Sequence, residues 1–119
     1  MTLDDLNQRL RDFAAARAWE PFHTPKNLVM ALSGEVGELT SLFQWLTPEE
    51  SAEWRADPEL AHNVVDEIAD VTLYLLQLAN SLGVDLIEAA NAKIDRNEIR
   101  FPAPGQSARS GGTSRSDDQ

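Results

Sequence analysis

Two acidic motifs at helical spacing, Gly34-Glu35-Val36-Gly37-Glu38-Leu39 and Asp66-Glu67-Ile68-Ala69-Asp70, constrain this chain more than any other feature. Residues three apart on a helix share one face, with Cβ atoms about 5–6 Å apart, so each motif offers two carboxylates pointing the same way. Leu28, Leu32, Leu39, Leu42 and Leu46 form an apolar seam, and Glu35 stands where that seam should continue, with Glu38 on its flank. Val64, Ile68, Val71, Leu75, Leu78 and Leu82 form a matching seam on a second acidic helix, and Glu67, Asp70 and Tyr74 share a polar strip beside it. A carboxylate set into a packing stripe loses hydration that only a cation, a hydrogen-bond network or a raised pKa restores.

Acidic residues at helical spacing usually form a solvated face. Three features favour ligation here: the intrusion of Glu35 into an apolar seam, the second pair on a comparable helix, and the glycines at 34 and 37. Glycine inside a helix costs about 1 kcal/mol against alanine, so two of them beside Glu35 predict close backbone approach to another helix or a ligand. Glu35, Glu38, Glu67 and Asp70 are therefore the expected ligands of a metal.

The rest of the chain reads as helices. Thr2 caps a first helix over residues 3–18, whose face carries Leu3, Leu6, Leu10 and Phe13. Two prolines break the segment Trp19-Glu20-Pro21-Phe22-His23-Thr24-Pro25, so its two aromatics and histidine sit in a loop. They either wall a pocket for a planar ligand or plug the helix ends. Thr24 and Pro25 start a second helix that runs to Leu46, where Trp45 either overhangs the carboxylates or merely packs at the helix end. A short helical turn follows Thr47-Pro48. Asp57 and Pro58 open a third long helix that stops at Gly83, and Asp85 with Glu88 opens a fourth that ends before Pro102. Lys93, Asn97 and Arg100 make one polar, largely cationic strip on it, suited to phosphate oxygens or to the helix dipole alone. The third long helix is apolar on so many sides that it predicts packing against another subunit.

The expected architecture is all-α, a four-helix bundle over residues 1–102, with residues 103–119 a disordered tail because they carry no large apolar side chain. Twenty acidic residues against ten basic ones give a formal charge of −10, which argues against a nucleic-acid polymer or an anionic membrane as partner. A small anionic ligand accompanied by a divalent cation remains compatible. Cysteine is absent, which excludes disulfides and thiolate ligands. No signal region and no apolar run of about 20 residues is present, so a cytoplasmic location is the expectation.

Together, Trp19-Glu20-Pro21-Phe22-His23, Gly34-Glu35-Val36-Gly37-Glu38-Leu39, Phe43-Gln44-Trp45, Glu67-x-x-Asp70 and Asp70-Val71-x-x-Tyr74-Leu75 resemble the all-α nucleoside triphosphate pyrophosphohydrolases of the MazG-like superfamily, and within them the dCTP pyrophosphatase branch. The resemblance implies Mg²⁺-dependent hydrolysis of a nucleoside triphosphate to the monophosphate and pyrophosphate, by a homo-oligomer that is a dimer or tetramer. It implies that Glu35, Glu38, Glu67 and Asp70 hold Mg²⁺. On chemical grounds one of the four carboxylates, with Glu38 the candidate, could double as general base. The resemblance implies too that Trp19, Phe22, His23 and Trp45 line the base and sugar pocket, and that Tyr74, Lys93 and Asn97 approach the phosphates. One position departs from the animal dCTP enzymes: their substrate-contacting histidine on the first helix is replaced by Leu10. Two alternatives stay open, a dUTPase-like or phosphoribosyl-ATP pyrophosphohydrolase on the same scaffold, and a non-catalytic helical module that binds nucleotide or oligomerises.

Overall fold

A computed structural model describes residues 1–105 and is helical, with no strand among them. The described chain forms two compact units, Met1–Gly83 and one that begins at Val84. The expected disorder of the tail falls largely outside the described residues.

In the first unit, helix α1 spans Leu3–Ala16. Thr2 Oγ1 accepts from Asp5 N at 3.1 Å while Asp5 Oδ2 accepts from Thr2 N at 3.0 Å, a reciprocal cap for two otherwise unpaired donors. The helix ends earlier than its periodicity predicts, because Ala18 turns into the left-handed region at φ 55° and Trp19 N folds back onto the Ala14 carbonyl. That conformation costs an L-residue about 1–2 kcal/mol. Ala18→Gly is therefore expected to raise the free energy of unfolding by up to about 1 kcal/mol in a denaturant titration, after allowance for glycine's larger unfolded-state entropy.

A single 3-10 turn, Glu20–Phe22, follows, and Asn27 Nδ2 donates to the Phe22 carbonyl at 3.0 Å to tie it down. Helix α2 spans Pro25–Phe43, capped by Thr24. It stops before Leu46 because Thr47 must be extended (ψ 163°) to cap helix α3, Pro48–Ala52. That five-residue helix adds a fifth α-helix to the four long ones expected from the sequence. After the turn Trp54–Ala56, Asp57 caps helix α4, Pro58–Leu82, and Gly83 ends it in the left-handed conformation (φ 68°) that glycine adopts without penalty. Helices α2 and α4 pack along much of their length, and α1 lies against α4 more lightly.

The core comprises Leu10 and Ala14 of α1, Leu28 of α2, and Val64, Leu76 and Ala79 of α4. On α4, Val64, Val71 and Leu78 face inward to differing degrees, as the predicted seam requires. Its other members do not: Ile68, Leu75 and Leu82 are 52%, 39% and 55% exposed. They repeat every seven residues on a flank of α4 that neither α1 nor α2 covers. The close approach expected at Gly34 and Gly37 is likewise not formed among the described residues, where a Cβ at either position would meet nothing within 4 Å. Both glycines are exposed on α2.

In the second unit, Asp85 Oδ1 accepts from Glu88 N at 3.0 Å and opens helix α5, Leu86–Arg100. Phe101 N closes it on the Asn97 carbonyl at 2.7 Å, and Pro102 prevents continuation. No helix among the described residues is long and apolar enough to cross a membrane.

Candidate active site

The packing of α2 on α4 brings Glu35, Glu67 and Asp70 together, with one carboxylate oxygen from each lying within 4.8 Å of the others. Glu35 projects from the apolar seam of α2, so burying Leu28 also carries Glu35 toward α4. Glu67 and Asp70 meet it because they are three apart on one face of α4. Glu35 and Glu67 are half-buried, and Glu67 Oε1 is shut away from water with no hydrogen-bond donor. Glu38 stands outside the tight group, exposed on the next turn of α2, although its charge still reaches Glu67.

Glu67 and Asp70 hold their protons more tightly than ordinary carboxyls. Glu67 is pushed up to about 7 by sharing a hydrogen bond with Glu35, then by desolvation, then by the negative charges of Glu35, Glu38 and Asp70. The Asp70 carboxyl is raised by partial burial first and by Glu35 and Asp66 next. With both glutamates ionised, the buried Oε1 faces other carboxylates and no donor. A divalent cation would relieve that arrangement, and three hard oxygen donors suit one whose metal–oxygen distances are about 2.0–2.6 Å.

The linkage to stability follows in sign. A proton held more tightly in the folded state stabilises it below 4.5, and that contribution is lost as pH rises toward about 7. Melting of the protein in EDTA is expected to occur at progressively lower temperature across that interval. Glu67→Gln should flatten the profile, and a divalent cation added above neutrality should restore the lost stability; circular dichroism melts check all three.

Beside the cluster lies a cleft of about 160 Å³ between α1, the Trp19 loop and α4, lined by Trp19, His23, Asp70, Tyr74 and Gln77 over an apolar floor of Leu10, Phe13 and Leu73. Trp19 is held edge-on by Phe13 at 5.5 Å between ring centroids and meets His23 at 6.2 Å. Arg17 covers Phe13, 3.7 Å from its ring centroid. An adjoining hollow of about 310 Å³ shares Leu10, His23 and Gln77 and is edged by Arg11, Glu20 and Ser81. Asp70 thus belongs both to the acidic cluster and to the wall of the cleft.

Trp19, His23 and Tyr74, each singled out in the sequence, do line one cleft. Phe22 and Trp45 do not line it, being 69% and 86% exposed. Lys93 is exposed and Asn97 half-buried on α5, within the second unit.

A model of the MazG-like family matches residues 30–110. The chain belongs to the MazG-like family. The matched segment contains both acidic pairs of this MazG-like chain, whereas Trp19 and His23 precede it. The chain is 45% identical to dCTP pyrophosphatase 1 of Homo sapiens over 102 residues, covering 86% of its own length and 60% of that protein's. It is 44% identical to dCTP pyrophosphatase 1 of Bos taurus over 101 residues, covering 85% of its own length and again 60% of the relative's. The chain therefore spans about 60% of the length of these relatives. It also resembles the crystal structure of a pyrophosphatase from Archaeoglobus fulgidus, at 38% identity and a TM-score of 0.76, over 85% of this chain and 93% of that one.

Sequence reading left Gln77 out, although a signal for it exists. Glu67, Asp70, Tyr74, Gln77 and Ser81 recur at alternating spacings of three and four along one stripe of α4. The stripe continues past Tyr74 into the cleft and its neighbouring hollow.

Proposed function

We propose that this protein is a Mg²⁺-dependent nucleoside triphosphate pyrophosphohydrolase acting on dCTP or a modified cytosine nucleotide. The observation that carries the reading is the junction at Asp70, where a cluster of three carboxylates opens directly onto a cleft walled by Trp19, His23 and Tyr74. An all-carboxylate oxygen donor set favours Mg²⁺, which commonly bridges to substrate phosphates. Glu35, Glu67 and Asp70 would hold the cation, joined by Glu38. When bound, it would neutralise charge developing on the phosphates and acidify a water.

The protein's own groups do the rest. Water attacks the α-phosphorus, the bond from it to the bridging oxygen breaks, and pyrophosphate leaves from the opposite side, giving the monophosphate. Glu38 stands at the edge of the group, exposed to water, so one of its oxygens could join the cation while the other takes the attacking water's proton. Trp19 offers a flat face to a base, and His23 and Tyr74 offer polar groups to the sugar and phosphates. On the family resemblance Phe22 and Trp45 are assigned to the base pocket as well, although neither lines the cleft described above, and Lys93 and Asn97 are assigned to the phosphates.

A homo-oligomer, dimer or tetramer, belongs to the same proposal, because Ile68, Leu75 and Leu82 form an exposed apolar row on α4 that a second copy would cover. A role in clearing or balancing nucleotide pools would place the protein in the cytoplasm. Product analysis tests the reaction class: dCTP with Mg²⁺ should give dCMP and pyrophosphate in equal amounts, whereas dCDP with orthophosphate would contradict it.

A further inference from the structure

Gln77 lies one turn beyond Tyr74 on the functional stripe of α4 and lines both the cleft and the hollow beside it. Its Oε1 is shut away from water and accepts no hydrogen bond. An amide kept for structural reasons has its hydrogen bonds made, and Asn80 of the same helix shows this. Asn80 Oδ1 accepts from Asn7 Nδ2 at 3.0 Å and from Arg11 at 3.2 Å, and Asn80 Nδ2 donates to Asn7 Oδ1 at 2.8 Å, which fastens α4 to α1. Gln77 Oε1 has no comparable bond to α1, although Leu10 of that helix and His23 of the loop line both cavities with it. Leaving a buried acceptor unsatisfied is unfavourable, and a ligand group that donates to it recovers the loss.

Position along the helix indicates which part of a ligand this would be. Gln77 follows Asp70 by seven residues, roughly 10 Å along the axis. That matches the reach from an α-phosphate held at the acidic cluster, across the sugar, to the far edge of a pyrimidine. The terminal side-chain torsion of glutamine is broad, so turning the amide brings Oε1 to the cleft surface.

We infer that Gln77 is a specificity-determining residue that reads the hydrogen-bonding edge of the nucleobase, with Oε1 accepting from an exocyclic amine such as the 4-amino group of cytosine. The assignment rests on the pyrophosphohydrolase reading. A uracil carbonyl in the same place has no proton to give and leaves Oε1 without a donor, so the amino base is preferred.

The test is the ratio of kcat/KM for dCTP to that for dUTP, in the full chain with Mg²⁺, for the wild type, Gln77→Leu and Gln77→Met. Methionine preserves the length of the side chain, so a fault specific to leucine packing does not obscure the result. The wild type should favour dCTP, and both variants should lose about tenfold or more of that preference, mainly through KM for dCTP. A purely structural role would instead lower both substrates together and leave the ratio alone. An unchanged ratio in variants that still hydrolyse overturns this assignment while the broader reading stands. Absence of hydrolysis by the wild type on both nucleotides removes the broader reading and this assignment with it.

Discussion

Asp70→Ala is expected to lower kcat/KM for pyrophosphate release from dCTP by about a thousandfold or more, because the loss of one charged ligand removes several kcal/mol of transition-state stabilisation at about 1.4 kcal/mol per decade. Glu35→Ala should behave alike, since the two carboxylates come from different helices and converge on the same point. The stability of the same variants separates this outcome from misfolding. Asp70 is held against repulsion from Glu35 and Asp66 and against its own desolvation. Removing it relieves that strain, so the melting temperature in EDTA should be no lower than that of the wild type. The stabilisation given by added Mg²⁺ should vanish, because a cation stabilises the fold only in proportion to its binding. An inactive variant that also melts well below the wild type in EDTA would speak for a structural role of the acids.

Leu28→Ala is expected to cost about 2–5 kcal/mol of stability. Leu28 is 1% exposed and, among the described residues, one of the two large side chains, with Leu76, that are completely enclosed. It sits in the first turns of α2, where it anchors the helix that carries Glu35 and Glu38. Domains of this size commonly have only about 5–15 kcal/mol in total, and so few residues are fully buried here that little could compensate. Chemical denaturation of the variant and the wild type at one protein concentration gives the difference, and concentration must be fixed because any self-association adds to the apparent stability.

The helical architecture was legible because its signals are local. Thr2, Thr24, Thr47, Asp57 and Asp85 each accept backbone hydrogen bonds at the helix starts where their types and spacing place them. The helix ends were less legible: Ala18 in the left-handed region carries no sequence mark of the kind that Gly83 does. The acidic cluster was legible because Glu35 violates an apolar period, and a violation of that sort is informative when a comparable helix bears a second acidic pair at the same spacing.

The burial of α4 was only half legible. Its apolar residues cover much of the circumference, so periodicity cannot say which row the chain itself covers, and Ile68, Leu75 and Leu82 turn out exposed while Leu76 and Ala79 are buried. Gln77 escaped because a lone amide at helical spacing has no distinguishing type; its significance lies in Oε1 lacking a donor, which only coordinates reveal. Gly34 and Gly37 predicted a close approach that the described residues do not make.

The central claim is that Glu35, Glu67 and Asp70 form a cation site that drives hydrolysis in the adjoining cleft. Its most direct measurement is the rate of pyrophosphate release from dCTP by the full chain in Mg²⁺, after chelation by EDTA, and after Mg²⁺ is returned in excess. Turnover that stops on chelation and recovers with Mg²⁺, but does neither in Asp70→Ala, is the predicted result. Turnover that persists unchanged through chelation, or that survives in Asp70→Ala, would contradict it.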